Sequence, residues 1–376
     1  MNSIARKEEQ KLLHWLFKGK ALVVTGARQV GKTTMIRQLF ANEPNLIWLN
    51  ADEVNVRERL EILNINSLAS IIGNYKLVVI DEVQRIKNAG LLLKLLVDNF
   101  KDVQVIATGS SALDISETIF EPLTGRHLLF HLYPFSLAEL YPGKSAFEVE
   151  QQLPFHLVFG SYPDVCLNRT DAKTLLKELA NQYLYKDILA WKDIRKPDLL
   201  DKLLKLLAWQ VGSEVSLHEL SNQLRVSVET IDRYINLLEK SFVVFRLPGY
   251  STNPRKEVTK MSKIMFWDNG IRNAVLGNFD DLSVRNDQGP LWENFVISER
   301  MKRNAWTQSE ATSYFWRNYN QSEVDYVEVQ QKELSAFEMK WNPSSKSGFS
   351  KAFVNAYPLS KTAVINRENF GAFCGL

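Results

Sequence analysis

Residues Gly26-Ala27-Arg28-Gln29-Val30-Gly31-Lys32-Thr33-Thr34 carry the spacing G-x-x-x-x-G-K-T and follow directly on the apolar run Leu22-Val23-Val24. Glycines at both ends let the backbone curl until successive N–H groups point inward, and the following helix adds its positive N-terminal end to the same hollow. Such a loop holds a polyphosphate. Lys32 would reach the β and γ phosphates, and the Thr33 hydroxyl would ligate magnesium, which keeps most of its shell as water and phosphate oxygen. ATP and Mg2+ are the expected cofactors.

A phosphate loop becomes a hydrolase when acids stand beside it. Lys76-Leu77-Val78-Val79-Ile80-Asp81-Glu82 reads as an apolar strand ending in two carboxylates. Asp81 would hold the magnesium shell. Glu82, pointing elsewhere because side chains alternate along a strand, would polarise the attacking water as general base. The next strand, Val103 to Thr108, ends in Gly109-Ser110-Ser111, and ligands of a doubly wound sheet lie at the carboxyl ends of strands. Ser110 is the expected γ-phosphate sensor, with helix capping as its alternative role. Arg126, in Thr124-Gly125-Arg126, would stabilise charge developing on the transferred phosphoryl group, either in its own chain or from a neighbouring subunit.

A second acidic constellation lies near the end of the chain. Asp325 falls in Glu323-Val324-Asp325-Tyr326-Val327, and Glu338 and Lys340 fall in the strand-like run beginning at Leu334. Residues two apart on a strand face the same way, so Glu338 and Lys340 share a face. Two carboxylates and a lysine on adjacent strands can bind magnesium and activate water against a phosphodiester. The spacing resembles the PD-(D/E)xK nuclease superfamily, with Val324 where the motif has proline. Glu293 stands on the preceding helix, where those folds often carry a further acid.

The elements that must position these groups fall into blocks. Short runs rich in Val, Ile and Leu at Ala21–Thr25, Leu46–Asn50, Leu77–Ile80, Val103–Thr108 and His127–Leu132 alternate with amphipathic stretches, as in a parallel sheet covered on both faces. After Pro134 the rhythm becomes helical through Leu153 to Phe159 and Ala172 to Trp191, with a turn at Gly160-Ser161-Tyr162-Pro163. Ser216-Leu217-His218-Glu219 has capping-box spacing. A second helix from Val228 to Lys240, and strands at Phe242–Leu247 and Lys263–Trp267, complete the layout of a winged helix-turn-helix. Arg233, Lys240, Arg255, Lys256, Lys260 and Lys263 would touch phosphates, against the acids Glu229, Asp232 and Glu239 on the same helix. The expected division is an ATPase domain over 1–134, a helical lid over 135–195, a winged helix over 196–268 and a nuclease-like domain over 269–376.

Bulk composition agrees with several packed cores. The chain has 376 residues, 45% hydrophobic and 24% charged, which is ordinary for a globular protein and too long for one core. Its net charge of +3 does not by itself imply nucleic acid. The two cysteines, Cys166 and Cys374, have no metal-ligand or disulfide spacing, and no run approaches the ~18 apolar residues of a membrane span. A cytoplasmic location without membrane association is expected.

Taken together, residues 20–134 resemble an AAA-type P-loop ATPase, and the connected features are similar to a prokaryotic group of AAA/STAND-like ATPases. The residues carrying that likeness are Gly26 to Thr34, Ile80-Asp81-Glu82-Val83-Gln84, Thr108-Gly109-Ser110-Ser111 and Leu123-Thr124-Gly125-Arg126. Pro134-Phe135-Ser136-Leu137-Ala138-Glu139, Gly160 to Pro163 and Tyr185-Lys186-Asp187-Ile188 extend it. The resemblance implies an α/β fold with a doubly wound sheet of order 5-1-4-3-2, a serine as polar sensor, and Arg126 at an arginine-finger position. An ATP-hydrolysing switch or motor acting on DNA is the leading expectation. The alternatives are an ATP-gated, magnesium-dependent DNA nuclease and a STAND-type signalling scaffold with a protein partner. A homo-oligomer is compatible with each, although no second arginine sensor follows the lid, which argues against a regular hexameric ring.

Overall fold

The structure, a computed structural model, describes residues 4–109, 122–181, 197–251, 262–345 and 349–376. The chain divides into two units, Met1–Tyr133 with Lys240–Phe242, and Pro134–Glu239 with Val243–Leu376.

In the first unit, helix and strand alternate: α1 (Glu8–His14), β1 (Ala21–Gly26), α2 (Lys32–Leu39), β2 (Leu46–Asn50), α3 (Val54–Leu60), α4 (Ile65–Ile72), β3 (Leu77–Asp81), α5 (Ala89–Asn99), β4 (Gln104–Gly109) and β5 (His127–Leu132). All the strands pair in parallel, in the order β2-β3-β4-β1-β5. Read from the other edge, this is the 5-1-4-3-2 order that the AAA resemblance implies. Strands β1, β3 and β4 are buried at every residue, whereas the outer strands β2 and β5 are only partly buried. Central parallel strands are covered on both faces, which is why they read as unbroken runs of Val, Leu and Ile. Helix α5 adds Leu92, Leu93 and Leu96 to this core, one helical face at i, i+1 and i+4. Each fully buried leucine contributes about 1.5–3 kcal/mol. The order brings the carboxyl ends of β1, β3 and β4 together, so Gly26, Asp81 and Gly109 end adjacent strands.

The second unit opens with helices α6 (Leu137–Leu140), α7 (Ala146–Glu150), α8 (Leu153–Phe159), α9 (Pro163–Leu167) and α10 (Ala172–Ala180). The helical run expected to reach Trp191, and the segment Tyr185 to Ile188, extend into residues outside the described part. Helix α11 (Pro197–Trp209), strand β6 (Glu214–Val215), α12 (Leu217–Leu224), α13 (Val228–Lys240), β7 (Val244–Pro248) and β8 (Ser262–Phe266) follow. Their antiparallel sheet has the order β6-β8-β7. Ser216 caps α12 by accepting the Glu219 N–H at 3.2 Å, and Ser227 accepts the Thr230 N–H at 3.2 Å at the start of α13. Helix α13 buries Ile231, Tyr234, Ile235 and Leu238, a stripe of helical period. Strand β6 has no counterpart in the sequence reading, because two residues are too few to display a period.

The unit ends with α14 (Asn269–Leu276), α15 (Gln288–Thr307), β9 (Thr312–Arg317), β10 (Glu323–Gln330), β11 (Glu333–Met339), α16 (Lys351–Ala356), β12 (Lys361–Ile365) and α17 (Phe370–Cys374). The sheet order is β12-β11-β10-β9, antiparallel except for the parallel pair β11 and β12. Trp316, Val324, Val327, Ala336 and Phe353 pack between this sheet and α16.

Two of the family-like segments act as structural locks. The Leu137 N–H donates to Glu299 Oε2 at 2.8 Å, and Lys302 Nζ donates to Glu299 Oε1 at 2.8 Å and to the Phe135 carbonyl at 3.2 Å. The segment 134–139 is thereby tied to α15. At Gly160, φ is +70° and an added Cβ would lie 2.0 Å from Asp268 Oδ1, so only glycine fits. The next N–H, of Ser161, donates to Asp268 Oδ2 at 2.7 Å.

Candidate functional site

At the end of β1, the chain needs glycine for a specific reason: a Cβ at Gly26 would lie 2.0 Å from the Leu132 carbonyl oxygen of β5. Gln29 at φ 59° and Gly31 at φ 91° then turn the loop through the left-handed region, and α2 begins at Lys32. Lys32 is buried and its Nζ donates to the carbonyls of Gly26 at 3.1 Å and Ala27 at 2.7 Å. The ammonium is thus folded back across the loop that carries it. Burial pushes its pKa down to about 8, against the pull of Glu82 and Asp81.

The Thr33 hydroxyl donates to both oxygens of Asp81, at 3.0 and 3.1 Å. Asp81 also accepts from the Thr108 hydroxyl, and Thr108 Oγ1 in turn accepts the Glu82 N–H at 3.3 Å. These hydrogen bonds come from neutral hydroxyls, so the carboxylate keeps its charge for an added cation. Hard oxygen donors of this kind, one carboxylate and one hydroxyl, fit magnesium. Glu82 takes a left-handed conformation at φ 55°, uncommon for a residue with a side chain. Its carboxylate accepts from Gln84 Nε2.

The structure therefore gathers Gly26 through Thr34, Asp81 and Glu82 at one end of the sheet. Ser110 lies outside the described residues. The sequence reading quoted Thr108 but gave it no role, looking instead to Ser110 two residues on. The position of Thr108 at the carboxyl end of β4, beside an acidic strand end, was the available signal. His131 is a second missed neighbour: its Nδ1 is 2.9 Å from Thr25 Oγ1, and burial pushes its pKa down to about 4, so it is a neutral ring at neutral pH.

Arg126 is placed differently. Its carbonyl accepts the Ala21 N–H at 2.9 Å, and its Nε donates to Asp98 at 2.8 Å. That is the amino end of β1, and five strand residues, about 17 Å at ~3.3 Å each, separate it from the loop at the carboxyl end. Arg126 does not belong to the phosphate site of its own chain.

The terminal acids are also brought together. Glu293, Asp325 and Lys340 line one cavity of about 320 Å³ with Gly289, Trp341 and Asn342. Lys340 Nζ lies 2.8 Å from Glu338 Oε2 and 3.5 Å from Asp325 Oδ2, and Asp325 also accepts the Met339 N–H at 2.7 Å. Burial, then the nearby Asp325, pushes the Glu338 carboxyl up to about 7, and burial pushes Glu293 up to about 8. Lys263, expected on the surface as a phosphate contact, is instead fully buried. Its Nζ is 2.8 Å from Glu293 Oε1 and 2.5 Å from Glu323 Oε1. Burial alone would lower its pKa, but Glu293, Asp325 and Glu323 together drive it up. Among the described residues, no group of three or more His, Cys, Asp or Glu side chains is arranged to hold a metal ion.

On helix α13, the acids that would repel DNA are partly neutralised. Arg246 of β7 donates to Asp232 Oδ1 at 2.6 Å and lies 3.1 Å from Glu239 Oε2. Arg233 and Glu229 are exposed. Arg255, Lys256 and Lys260 lie outside the described residues.

A parallel sheet of this order, a glycine-bearing loop entering a helix, and a carboxylate paired with the first helical threonine define a P-loop nucleotide-binding domain. Residues 18–141 match the family described as AAA domain. Residues 150–282 match a domain of unknown function (DUF8612), and residues 288–372 match another (DUF4143). A protein of Methanocaldococcus jannaschii described as uncharacterized is 26% identical over 91% of this chain and 79% of its own length. One of Mycobacterium tuberculosis, likewise described as uncharacterized, is 27% identical over 96% of this chain and 79% of its own length. Among solved structures, the Walker-type ATPase of Pyrococcus abyssi aligns over 73% of this chain and 96% of that one, with 16% identity and a TM-score of 0.47. No helix among the described residues is long and apolar enough to cross a membrane.

Proposed function

We propose that the chain is a magnesium-dependent ATPase that works as a switch on DNA. The observation that carries the nucleotide half is the convergence of Lys32, Thr33 and Asp81 at the carboxyl end of the sheet. ATP enters the loop with its phosphates on the inward N–H groups, and the Lys32 ammonium turns from the Gly26 and Ala27 carbonyls toward the β and γ oxygens. Thr33 and Asp81 are the residues that would hold Mg2+, which when bound neutralises charge between the phosphates. Glu82, released from Gln84, orients water in line with the γ-phosphorus and accepts its proton. Thr108 keeps Asp81 and the Glu82 backbone in register. Arg126, at the opposite end of the sheet, reaches a nucleotide only when that nucleotide belongs to another copy of the chain, so full turnover requires assembly.

The DNA half rests on the helix pair α12 and α13 and on Arg246, which offsets Asp232 and Glu239 and leaves Arg233 free to face phosphate. The test is ATP hydrolysis with and without single-stranded, duplex and branched DNA at two salt concentrations. Stimulation that weakens with salt, as phosphate contacts do, is expected. With Glu82→Gln, ATP should still bind while turnover stops, and full turnover by that variant discards Glu82 as the base. Slow hydrolysis that no DNA alters would favour a protein partner instead.

A further inference from the structure

We infer that the Lys263 ammonium is the resident cation of the terminal carboxylate cluster, so that this part of the chain takes no divalent metal and cuts no phosphodiester. The likeness to PD-(D/E)xK nucleases implies magnesium among Glu293, Asp325, Glu338 and Lys340. The residues present do not fit it. A lysine Nζ already stands 2.8 Å from Glu293 and 2.5 Å from Glu323, so the Glu293 oxygen that a metal would need is taken. A second, Lys340, stands 2.8 Å from Glu338 and 3.5 Å from Asp325. Each carboxylate in the row thus faces an ammonium, and a divalent ion set between them would meet two positive charges at close range.

Lys263 cannot step aside cheaply. It sits on β8, the central strand of its sheet, paired with Glu214 on one side and Leu247 on the other. Its side chain is wholly buried, with Nζ 5.5 Å from the Phe315 ring centre. Glu293 packs beside Gly212, where a Cβ would come within 3.1 Å of Glu293 Oε2. Beyond Glu323 the row continues: Arg317 lies 3.8 Å from Glu323 and 2.9 Å from Glu214 of β6. Acids and bases therefore alternate as Glu214, Arg317, Glu323, Lys263 and Glu293. They come from β6, β9, β10, β8 and α15 in turn. The row clamps the small sheet β6-β8-β7 to the four-stranded sheet. The chemistry a nuclease would perform there is replaced by a fixed connection between two elements.

The test is Mn2+ binding, read as loss of the free-ion paramagnetic resonance signal, on the full chain without nucleotide and with Asp81→Asn to silence the phosphate-loop site. This parent should hold no Mn2+ in the sub-millimolar range. Adding Lys263→Met should create one site per chain, about tenfold tighter or more, and further adding Asp325→Ala should remove it. A folded Lys263→Met chain that gains no Mn2+ overturns the inference. Should that variant fail to fold, the parent decides: Mn2+ held by the parent and released on Asp325→Ala overturns the inference, and no difference between the two supports it. In parallel, any cleavage of labelled DNA by the wild-type chain should be unchanged by Lys340→Ala, and cleavage that Lys340→Ala abolishes refutes the inference.

Discussion

The molecule gathers carboxylates in two places and gives them opposite partners. Asp81, at the end of β3, accepts from the hydroxyls of Thr33 and Thr108, while Glu293, Glu323, Glu338 and Asp325 face Lys263 and Lys340. A hydroxyl holds a carboxylate in place without cancelling its charge, whereas an ammonium holds it and cancels the charge at once. The first arrangement is ready for a metal and an anion. The second is already neutralised. What separates a site from a clamp is therefore the charge of the partner, and the identity of the acids says little about it.

The largest effect should come from breaking the clamp. Lys263→Ala strands Glu293 and Glu323 without their cation, and removing one partner of a buried pair costs about 3–5 kcal/mol. Asp81→Ala removes hydroxyl contacts and one of the two carboxylates that act on the buried Lys32, and should cost about 1–3 kcal/mol. Denaturant unfolding of both variants checks the ordering, and equal losses would erase the distinction drawn here. Next in size is Lys32→Ala, expected to lower kcat/KM for ATP by about 10²–10³-fold, the range found when one preorganised donor to developing charge is removed. Lys340→Ala should leave that constant alone. A comparable loss in Lys340→Ala would mean that the terminal cluster serves the nucleotide site.

How far the sequence revealed this differs between the two places. Gly26, Gly31, Lys32 and Thr33 lie on one short stretch of chain and the chemistry of the loop is local, so its geometry followed from spacing. The strands β1 to β5 were legible because buried parallel strands are written as unbroken apolar runs. Asp325, Glu338 and Lys340 were also found, since period-2 alternation fixes their faces. Lys263 was misread, because a lysine in a basic stretch looks solvated and its partners stand 30 or more positions away. Only the tertiary pairing of β8 with β6 and β7 buries it. Thr108 was passed over because a serine two residues later offered the same chemistry. The sequence left open whether Arg126 serves its own nucleotide or a neighbour's, and the parallel register sets it at the opposite end of β5 from its own loop.

Acid should weaken the second unit in a way the nucleotide site does not explain. His156 is fully buried, with Nε2 2.7 Å from the Tyr141 hydroxyl and Nδ1 3.0 Å from the Gly160 carbonyl, a set that suits the neutral ring. Burial, with Arg169 and Lys302 adding to it, lowers its pKa from 6.5 to about 3. Between those values the unfolded chain binds a proton that the folded chain refuses. Stability conferred by the neutral ring is therefore complete above pH 6.5 and declines as pH falls toward 3, by about 1.4 kcal/mol per unit. His156→Phe should be less stable at neutral pH but show a shallower loss on acidification, measured as urea midpoints across the range. Parallel curves for the two proteins would remove His156 from the account.

The smallest effect on an isolated chain, and the most telling about assembly, belongs to Arg126. Its ion pair with Asp98 has side chains 39% and 34% exposed, a setting in which such pairs contribute little, so Arg126→Ala should leave the unfolding midpoint essentially unchanged. ATP affinity should also be unaffected, because the residue stands at the amino end of β1 and the phosphate loop at the carboxyl end. Turnover is where the variant should differ. If the guanidinium acts on the nucleotide of a neighbouring copy, wild-type specific activity rises with protein concentration and the variant's stays flat, with the two converging at high dilution. Mixing the variant with a Lys32→Ala chain sharpens the test, since one supplies an intact loop and the other an intact arginine. Recovery of activity in the mixture would place the two groups in one composite site. A variant slowed equally at every concentration would tie Arg126 to its own chain's fold instead.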